Sequence, residues 1–459
     1  MMRSSPSQRT LRSLTNIPLK PLRLGDVHEQ LPTWHNPRVP RKSSPTVAIL
    51  GLGYVGLPLA EAASQHFAVV GFDVDVSVPS GLNSGRSHIQ DITQAQISAM
   101  IEKGFTATDA PRDLARASIY VICVPTPLSE TGGPDLTAVR QAAEVVASNL
   151  SPGDLVILES TTYPGTTDSI LLPILEHSGL KAGEDFHLAF SPERIDPGNP
   201  SYTIANTPKV VGGLTPACRD AAAAFYEPFV CEVVLTQGLR EAEMAKLLEN
   251  TYRHVNIALV NEMLRFSNDL DINLWDVINA ASSKPFGFQA FYPGPGVGGH
   301  CIPIDPNYLS HFVRAQTGYA FRLVELAQEI NAQMPAYVVS RVQDMLNADG
   351  VSLRGSSILL LGVSYKADIA DTRESPAYAV AKSLAAKGAN LTYHDPFVDS
   401  FVVDGRPVAP VEDLDVAIGD FDCVVLLQVH SAFDPDLLAG KANRFLDTRG
   451  NVSDHRYHL

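Results

Sequence analysis

Short apolar runs separated by helix-length amphipathic stretches set the rhythm of this chain from residue 45 onward. Thr46–Leu50 (TVAIL), Phe67–Asp73 (FAVVGFD), Ile119–Val124 (IYVICV) and Leu155–Glu159 (LVILE) are nearly unbroken apolar segments. Runs of that length read as strands buried on both faces, with a helix from about Gly56 to His66 between the first two. Strands alternating with helices predict a parallel sheet covered on both sides. Residues 240–272 and 320–349 then carry Leu, Ala, Ile and Met at helical spacing with few breakers, which predicts two long helices. The strand rhythm restarts at Ser357–Leu361 (SILLL), Asn390–His394 (NLTYH), Val424–Gln428 (VVLLQ) and Arg444–Asp447 (RFLD). The expected fold is therefore α/β, with two Rossmann-like parallel-sheet domains joined by a long-helix central region. The expected divisions are a disordered basic tail (1–44), a first α/β domain (45–238), a central helical domain (239–349) and a second α/β domain (350–459). Phe291–Asn307 is Pro- and Gly-rich and the least helix-like stretch of the folded part. A long irregular segment inside a compact protein is often functional.

Composition narrows the class. The chain has 459 residues, 45% hydrophobic and 19% charged, which fits a globular protein of two or three domains. A net charge of −15 argues against a nucleic-acid partner, which calls for a basic face. The five cysteines are widely spaced, with no CxxC pair, so neither a metal site nor a disulfide framework is expected. Cys218, Cys231 and Cys423 read as buried core residues, and Cys123, inside an apolar run, as structural. No apolar run is long enough to span a membrane. A reducing, cytoplasmic setting follows as the expectation. Residues 3–42 hold eight Arg or Lys against Asp26 and Glu29, with no apolar h-region, so they are not a secretory signal. A disordered tail or a misassigned start is preferred there over a mitochondrial presequence.

Gly51-Leu52-Gly53-Tyr54-Val55-Gly56 is a GxGxxG motif that follows a predicted strand and opens a predicted helix. Asp73 lies 22 residues after Gly51, at the end of the next strand. In that context Gly51 makes the tight turn, Gly53 admits a pyrophosphate, and Gly56 allows close helix–strand packing. The helix N-terminus supplies unpaired N–H groups. Asp73 would accept from ribose hydroxyls and repel a 2′-phosphate, so the expected cofactor is NAD. The residues just after Asp73 contain no basic side chain, and Arg86 is the candidate substitute.

The run from Pro293 to Pro306 (PGPGVGGHCIPIDP) places Cys301 at the end of a glycine-dense loop. Such a loop lets the backbone wrap closely round a ligand. A thiol there is placed to react with it, and N–H groups of a following turn or helix would lower its pKa. Asp305, four residues on, is a candidate to orient Lys246 or an attacking water.

These stretches, with VPTP (124–127), LESTTYPGT (158–166), SPERIDPGN (191–199), AKLLENTYRHVNIALVNE (245–262) and YKADIADTRESP (365–376), resemble the UDP-glucose/GDP-mannose dehydrogenase family from about residue 45 to 450. The resemblance implies an NAD domain, a central helical region that builds a homodimer, and a C-terminal domain over a UDP-sugar. It implies a four-electron oxidation of a sugar C6 alcohol to the acid, through a thiohemiacetal and a thioester on Cys301. Lys246 matches the family's active-site lysine, an oxyanion stabiliser. Asn250, on the same helix face, is a donor to the same oxygen. By the same resemblance Glu159 is the general base or water-positioning carboxylate, and Thr126 holds water or cofactor nearby. Tyr54, Val55, Pro125 and Arg373 join the cofactor site. Arg194, Tyr292, Gly294, Gly296, Gly298, Lys366 and Arg449 join the substrate site.

His300, Ile302 and Ile304 stand where UDP-glucose enzymes usually carry Ser, Phe and Lys. With Arg194, they resemble the UDP-N-acetylglucosamine branch, with UDP-N-acetylmannosamine and UDP-glucose as alternatives. Two other classes compete. A two-electron hydroxyacid dehydrogenase would lack the Cys loop and second α/β domain. A catalytically silent nucleotide-binding protein would have no need of Lys246, Asn250, Cys301 and Asp305 together.

Overall fold

The computed structural model describes residues 45–459 apart from 90, 129–132, 196–198, 200, 300, 301 and 303. The readings of residues 1–44 as a tail and of Cys301 as nucleophile fall outside the described residues.

The first sheet has eight strands: β1 (Thr46–Leu50), β2 (Ala68–Phe72), β3 (Thr106–Thr108), β4 (Ile119–Ile122), β5 (Leu155–Leu158), β6 (His187–Phe190), β7 (Lys209–Gly213) and β8 (Val233–Leu235). Their order is β3-β2-β1-β4-β5-β6-β7-β8. The order reverses beside β1, and ligands of open α/β sheets bind at that switch point, outside the strands' C-terminal ends. One junction differs from the all-parallel expectation: β6 and β7 are antiparallel. A parallel neighbour needs a crossover, usually a helix. The connecting residues 191–208 carry Pro192, Pro197, Pro200 and Pro208, and the described ones among them form no helix. Two cores fill the two faces of this sheet, one built round Ile49, Val121 and Ile157, the other round Leu50, Tyr120 and Leu158.

The second half contains β9 (Ser357–Leu361), β10 (Asn390–His394), three two-residue strands β11 (Val402–Val403), β12 (Arg406–Pro407) and β13 (Ala409–Pro410), then β14 (Cys423–Leu426) and β15 (Phe445–Asp447). Five of these form a parallel sheet in the order β13-β10-β9-β14-β15. Both sheets make the same first turn. Gly51 N–H donates to Phe72 C=O at 2.8 Å, and Gly362 N–H to His394 C=O at 3.0 Å. The acid that follows then ties down the turn: Leu52 N–H to Asp73 at 2.9 Å, Val363 N–H to Asp395 at 2.7 Å.

Leu239–Asp269 and Arg322–Ala348 are the two long helices, each within a few residues of its sequence prediction. Val260, Leu264, Met334, Val338 and Val342 from these helices share one core with Ile358, Leu360 and Val425 of the second sheet and Val380 of the helix Pro376–Ala386. That shared burial joins the central helices to one face of the C-terminal sheet. Cys123, Cys218 and Cys423 are buried, as expected. Cys231 is exposed, contrary to its reading as a core residue. It lies in the short connection between the helix Pro216–Tyr226 and β8, after half-buried Val230 and before exposed Glu232, outside either packed element.

Candidate active site

The glycine loop leaves β1 and enters the helix Gly56–Ser64, whose N-terminus has no side-chain cap. Gly51 has φ +90°, and a Cβ there would lie 2.7 Å from the Cys123 carbonyl oxygen. A Cβ on Gly56 would lie 1.8 Å from the Gly51 oxygen. At Gly53 a Cβ would meet no protein atom within 4 Å. Gly51 and Gly56 are therefore glycine for the fold, whereas Gly53 leaves room open at an uncapped helix N-terminus, the shape a pyrophosphate requires. Tyr54 and Val55 occupy the turn. The Asp73 carboxylate sits at the end of β2, half-buried, accepting from Leu52 and Asp75 N–H groups. These residues fit NAD. Arg373, from the C-terminal half, lies with its guanidinium 5.3 Å from the Tyr54 ring centre and paired with Asp371. The fold thus brings the expected cross-interface arginine to the glycine loop.

Lys246, Asn250 and Asp305 converge. Lys246 Nζ donates to Thr161 Oγ1 at 2.5 Å. Asn250 Nδ2 donates to Asp305 Oδ2 at 2.5 Å, and Arg253 donates to Asn250 Oδ1. Asp305 begins the helix Asp305–Thr317 and is buried. Burial pushes its carboxyl pKa up, and the Lys246 charge, the Asn250 hydrogen bond and the Arg253 charge restrain that rise. Thr126, just beyond β4, donates to the Thr161 carbonyl at 2.7 Å, and the Tyr308 hydroxyl donates to the Thr126 carbonyl. Pro125 is exposed beside it. The N-terminal sheet, the long helix and the helix after the Cys loop therefore meet through Thr161.

Glu159 joins a different cluster. Its carboxylate is fully covered, pairs with Lys209 Nζ at 2.9 Å and accepts from the Tyr226 hydroxyl. Burial works against the Lys209 charge, but Glu159 and Glu193 together hold that ammonium above its ordinary range. Burial also pushes the Glu159 carboxyl pKa up, and the Lys209 charge restrains that rise. Arg194 pairs with Glu249 at 2.9 Å and donates to the Pro208 carbonyl at 2.7 Å.

The remaining substrate candidates lie round the Cys loop. Gly294 N–H donates to Asn261 Oδ1 at 3.0 Å, and a Cβ on Gly294 would sit 3.1 Å from an Arg449 guanidinium nitrogen. Arg449 is half-buried, donates to Leu427 C=O at 2.8 Å, and burial pushes its pKa down to about 10. Tyr292 is exposed and donates to Asn279 at 3.1 Å. Lys366 is half-buried in the segment that starts at Tyr365. A Cβ on Gly298 would lie 2.9 Å from Tyr365 Cβ, and one on Gly296 3.1 Å from Pro376 Cβ. These two glycines are thus required by packing against the C-terminal segment, not only by the approach of a ligand.

Thr161, Arg253, Tyr308 and Lys209 were not among the sequence candidates. Arg253 had a signal, since it lies three residues after Asn250 on one helix. Lys209 opens the apolar run of β7. Thr161 has no signal that separates it from Thr162. Among the described residues no group of three or more His, Cys, Asp or Glu is arranged to hold a metal, and no helix is long and apolar enough to cross a membrane.

Comparison with known proteins gives the family. The NAD binding domain of the UDP-glucose/GDP-mannose dehydrogenase family matches residues 45–230, its central domain 240–333, and its UDP binding domain 359–455. A UDP-N-acetyl-D-glucosamine 6-dehydrogenase of Pseudomonas aeruginosa is 35% identical over 84% of this chain and 91% of its own. A UDP-N-acetyl-D-mannosamine dehydrogenase of Methanocaldococcus jannaschii is 33% identical over 84% and 86%. The solved UDP-D-ManNAc dehydrogenase of Pyrococcus horikoshii superposes with a TM-score of 0.81 at 32% identity, covering 89% of this chain and 96% of that one. The chain belongs to the UDP-glucose/GDP-mannose dehydrogenase family of NAD-dependent oxidoreductases.

Proposed function

We propose that this enzyme oxidises the C6 alcohol of a UDP-N-acetylhexosamine, with UDP-N-acetylglucosamine as first choice, to the uronic acid. The observation that carries this reading is the convergence of Lys246, Asn250 and Asp305 beside the Cys loop, with Arg449 packed on that loop from the C-terminal half. Relatives named for the 2-epimeric mannosamine sugar keep UDP-N-acetylmannosamine as the second reading.

NAD, exchanged for a fresh molecule between the two oxidations, would supply the hydride acceptor for each. Lys246 stabilises the alkoxide as the C6 hydroxyl gives up its proton and C6 its hydride, and stabilises the oxyanion formed when a thiol adds to the aldehyde. The Cys301 thiolate adds to the aldehyde carbon. Loss of a second hydride leaves a thioester, and water cleaves it to the acid and the free thiol. Asn250 keeps its second amide N–H for the same substrate oxygen while the first is held by Asp305. Thr126 and Thr161 fix the Lys246 ammonium, and Asp305 is the carboxylate best placed to hold the hydrolytic water. Glu159, paired with Lys209, is the second carboxylate for the role of base or water holder.

The division at 45–238, 239–349 and 350–459, a homodimer built on the long helix, a cytoplasmic setting and a role in polysaccharide synthesis belong to the same reading. Exposed Tyr252, Leu259 and Phe266, spaced seven residues apart on Leu239–Asp269, support the dimer.

The test is NADH formation with UDP-N-acetylglucosamine, UDP-N-acetylmannosamine and UDP-glucose in parallel. About two NADH per sugar, with a uronic acid product, is expected from one of the first two. Cys301→Ser should stop acid formation. NADH from none of the three, or an unimpaired Cys301→Ser variant, would sink the proposal.

A further inference from the structure

Three neighbouring strands of the C-terminal sheet, β10, β9 and β14, end on one buried cluster that the proposed chemistry does not use. Asp395 is the first residue beyond β10, Ser364 the third beyond β9 and His430 the fourth beyond β14. All three are buried. Ligands of open α/β sheets bind outside strand ends of this kind. Asp395 accepts from the N–H groups of Val363, Ser364 and Phe397 and faces His430 Nε2 at 3.1 Å.

Hydrogen bonds fix the orientation of the His430 ring. The Asp368 backbone N–H can only donate, and it meets His430 Nδ1 at 2.9 Å. Nδ1 is therefore the acceptor, and the ring proton sits on Nε2, toward Asp395 Oδ2. The rings of Phe397 and Phe433 flank the imidazole, with centres 5.1 and 5.3 Å away.

What His430 holds is the loop after β9. Asp368 has φ +60°, in the left-handed region, which a non-glycine residue keeps only where its surroundings impose it. Two contacts impose it here: the bond to His430, and Ser431 N–H donating to Asp368 Oδ1 at 2.8 Å. The Ser364 hydroxyl lies 3.5 Å from His430 Nε2 and donates to the Lys366 carbonyl at 2.8 Å. His430 thus grips the chain two residues before Lys366 and two residues after it. The same loop packs on the Cys loop, since a Cβ on Gly299 would lie 2.8 Å from a Tyr365 ring carbon.

We propose that His430, backed by Asp395, is a positioning residue for the nucleotide sugar. It acts through Asp368 and Ser364 to hold Lys366 at the substrate. The inference rests on the reading of Lys366 as a substrate residue, and not on which sugar is oxidised.

The experiment measures UDP affinity by calorimetry on the full-length protein, with KM and kcat for the nucleotide sugar alongside. His430→Leu removes both ring contacts and should weaken UDP binding about tenfold. KM should rise by a similar factor with kcat nearly unchanged, the pattern of lost ground-state binding. His430→Asn, whose side-chain oxygen can take the Asp368 N–H, should recover most of that affinity. Asp368→Val, β-branched and disfavoured at positive φ, should weaken UDP binding as His430→Leu does, whereas Asp368→Asn, which tolerates the left-handed region, should not. If His430→Leu does not fold, the pair at exposed Asp368 decides. A purely structural role would lower thermal stability and leave UDP affinity of the folded protein unchanged. That result, or equal weakening by His430→Leu and His430→Asn, would overturn the proposal. Lys366→Ala tells the two failures apart. If it weakens UDP binding while the His430 and Asp368 variants bind normally, the positioning role alone is wrong. If it leaves UDP affinity unchanged, the reading of Lys366 is wrong and the proposal goes with it.

Discussion

Lys246 is held by a threonine hydroxyl at 2.5 Å and lies close enough to Asp305 to restrain the rise of its pKa, on an otherwise Leu- and Ala-rich helix. Its charge is placed for developing oxyanions, so Lys246→Ala should lower kcat by about 10²–10³ with a smaller change in KM. Steady-state kinetics at saturating NAD would check this; an unchanged kcat would remove Lys246 from the chemistry. His254 makes a second prediction. Its folded pKa lies near 4, against 6.5 for an ordinary histidine, with burial as the cause. The unfolded chain therefore binds more protons between about pH 4 and 6.5. Stability from this group is complete above that window and falls as pH drops through it, by up to ~3 kcal/mol. Glu243, pushed up to about 7 mainly by burial, slopes the opposite way. The quantity to read is therefore the difference in urea midpoint between wild type and His254→Phe, at pH 5 and pH 7. The gap should narrow at pH 5.

At the scale of elements, β1, the glycine turn and the helix Gly56–Ser64 were legible in advance because their rules are local: a strand-length apolar run, a left-handed glycine, a helix start. Gly56→Ala places a methyl carbon against the Gly51 carbonyl oxygen. It should cost about 1–3 kcal/mol of stability and raise KM for NAD, read by thermal unfolding and NAD titration; an unchanged KM would mean the loop absorbs the methyl. The antiparallel β6–β7 junction was not legible, because strand direction depends on how the proline-bearing connection is routed. Glu159 and Asp305 illustrate the same limit in side chains. Both are acids beside a family motif, yet Lys209 and Tyr226 claim the first, while Asn250 and Lys246 face the second.

For the whole molecule, the shared core of the long helices and the C-terminal sheet sets where Arg373 and Arg449 arrive. If the exposed row on the long helix pairs two copies, the double change Leu259→Glu with Phe266→Glu should move the sedimentation coefficient to that of a monomer while leaving the fold intact by circular dichroism. An unchanged coefficient would place any dimer contact elsewhere. The two sheets also show why equal topology does not mean equal ligands. Asp73 ends beside an open glycine loop. Asp395, at the matching position, is buried and takes His430 Nε2 at 3.1 Å together with the N–H groups of Val363 and Ser364.

The sequence by itself determined the alternation of strands and helices, the NAD loop with its acid, and the set of polar residues available for chemistry. Those follow from backbone sterics and from spacings of a few residues, which any local stretch of chain obeys. Only the tertiary structure decided which carboxylate faces Lys246, which glycines are packing requirements, and which arginine of the C-terminal half meets which loop. Each of those depends on surfaces brought together from positions far apart in the chain, where burial and competing hydrogen-bond partners select one orientation of a side chain over another.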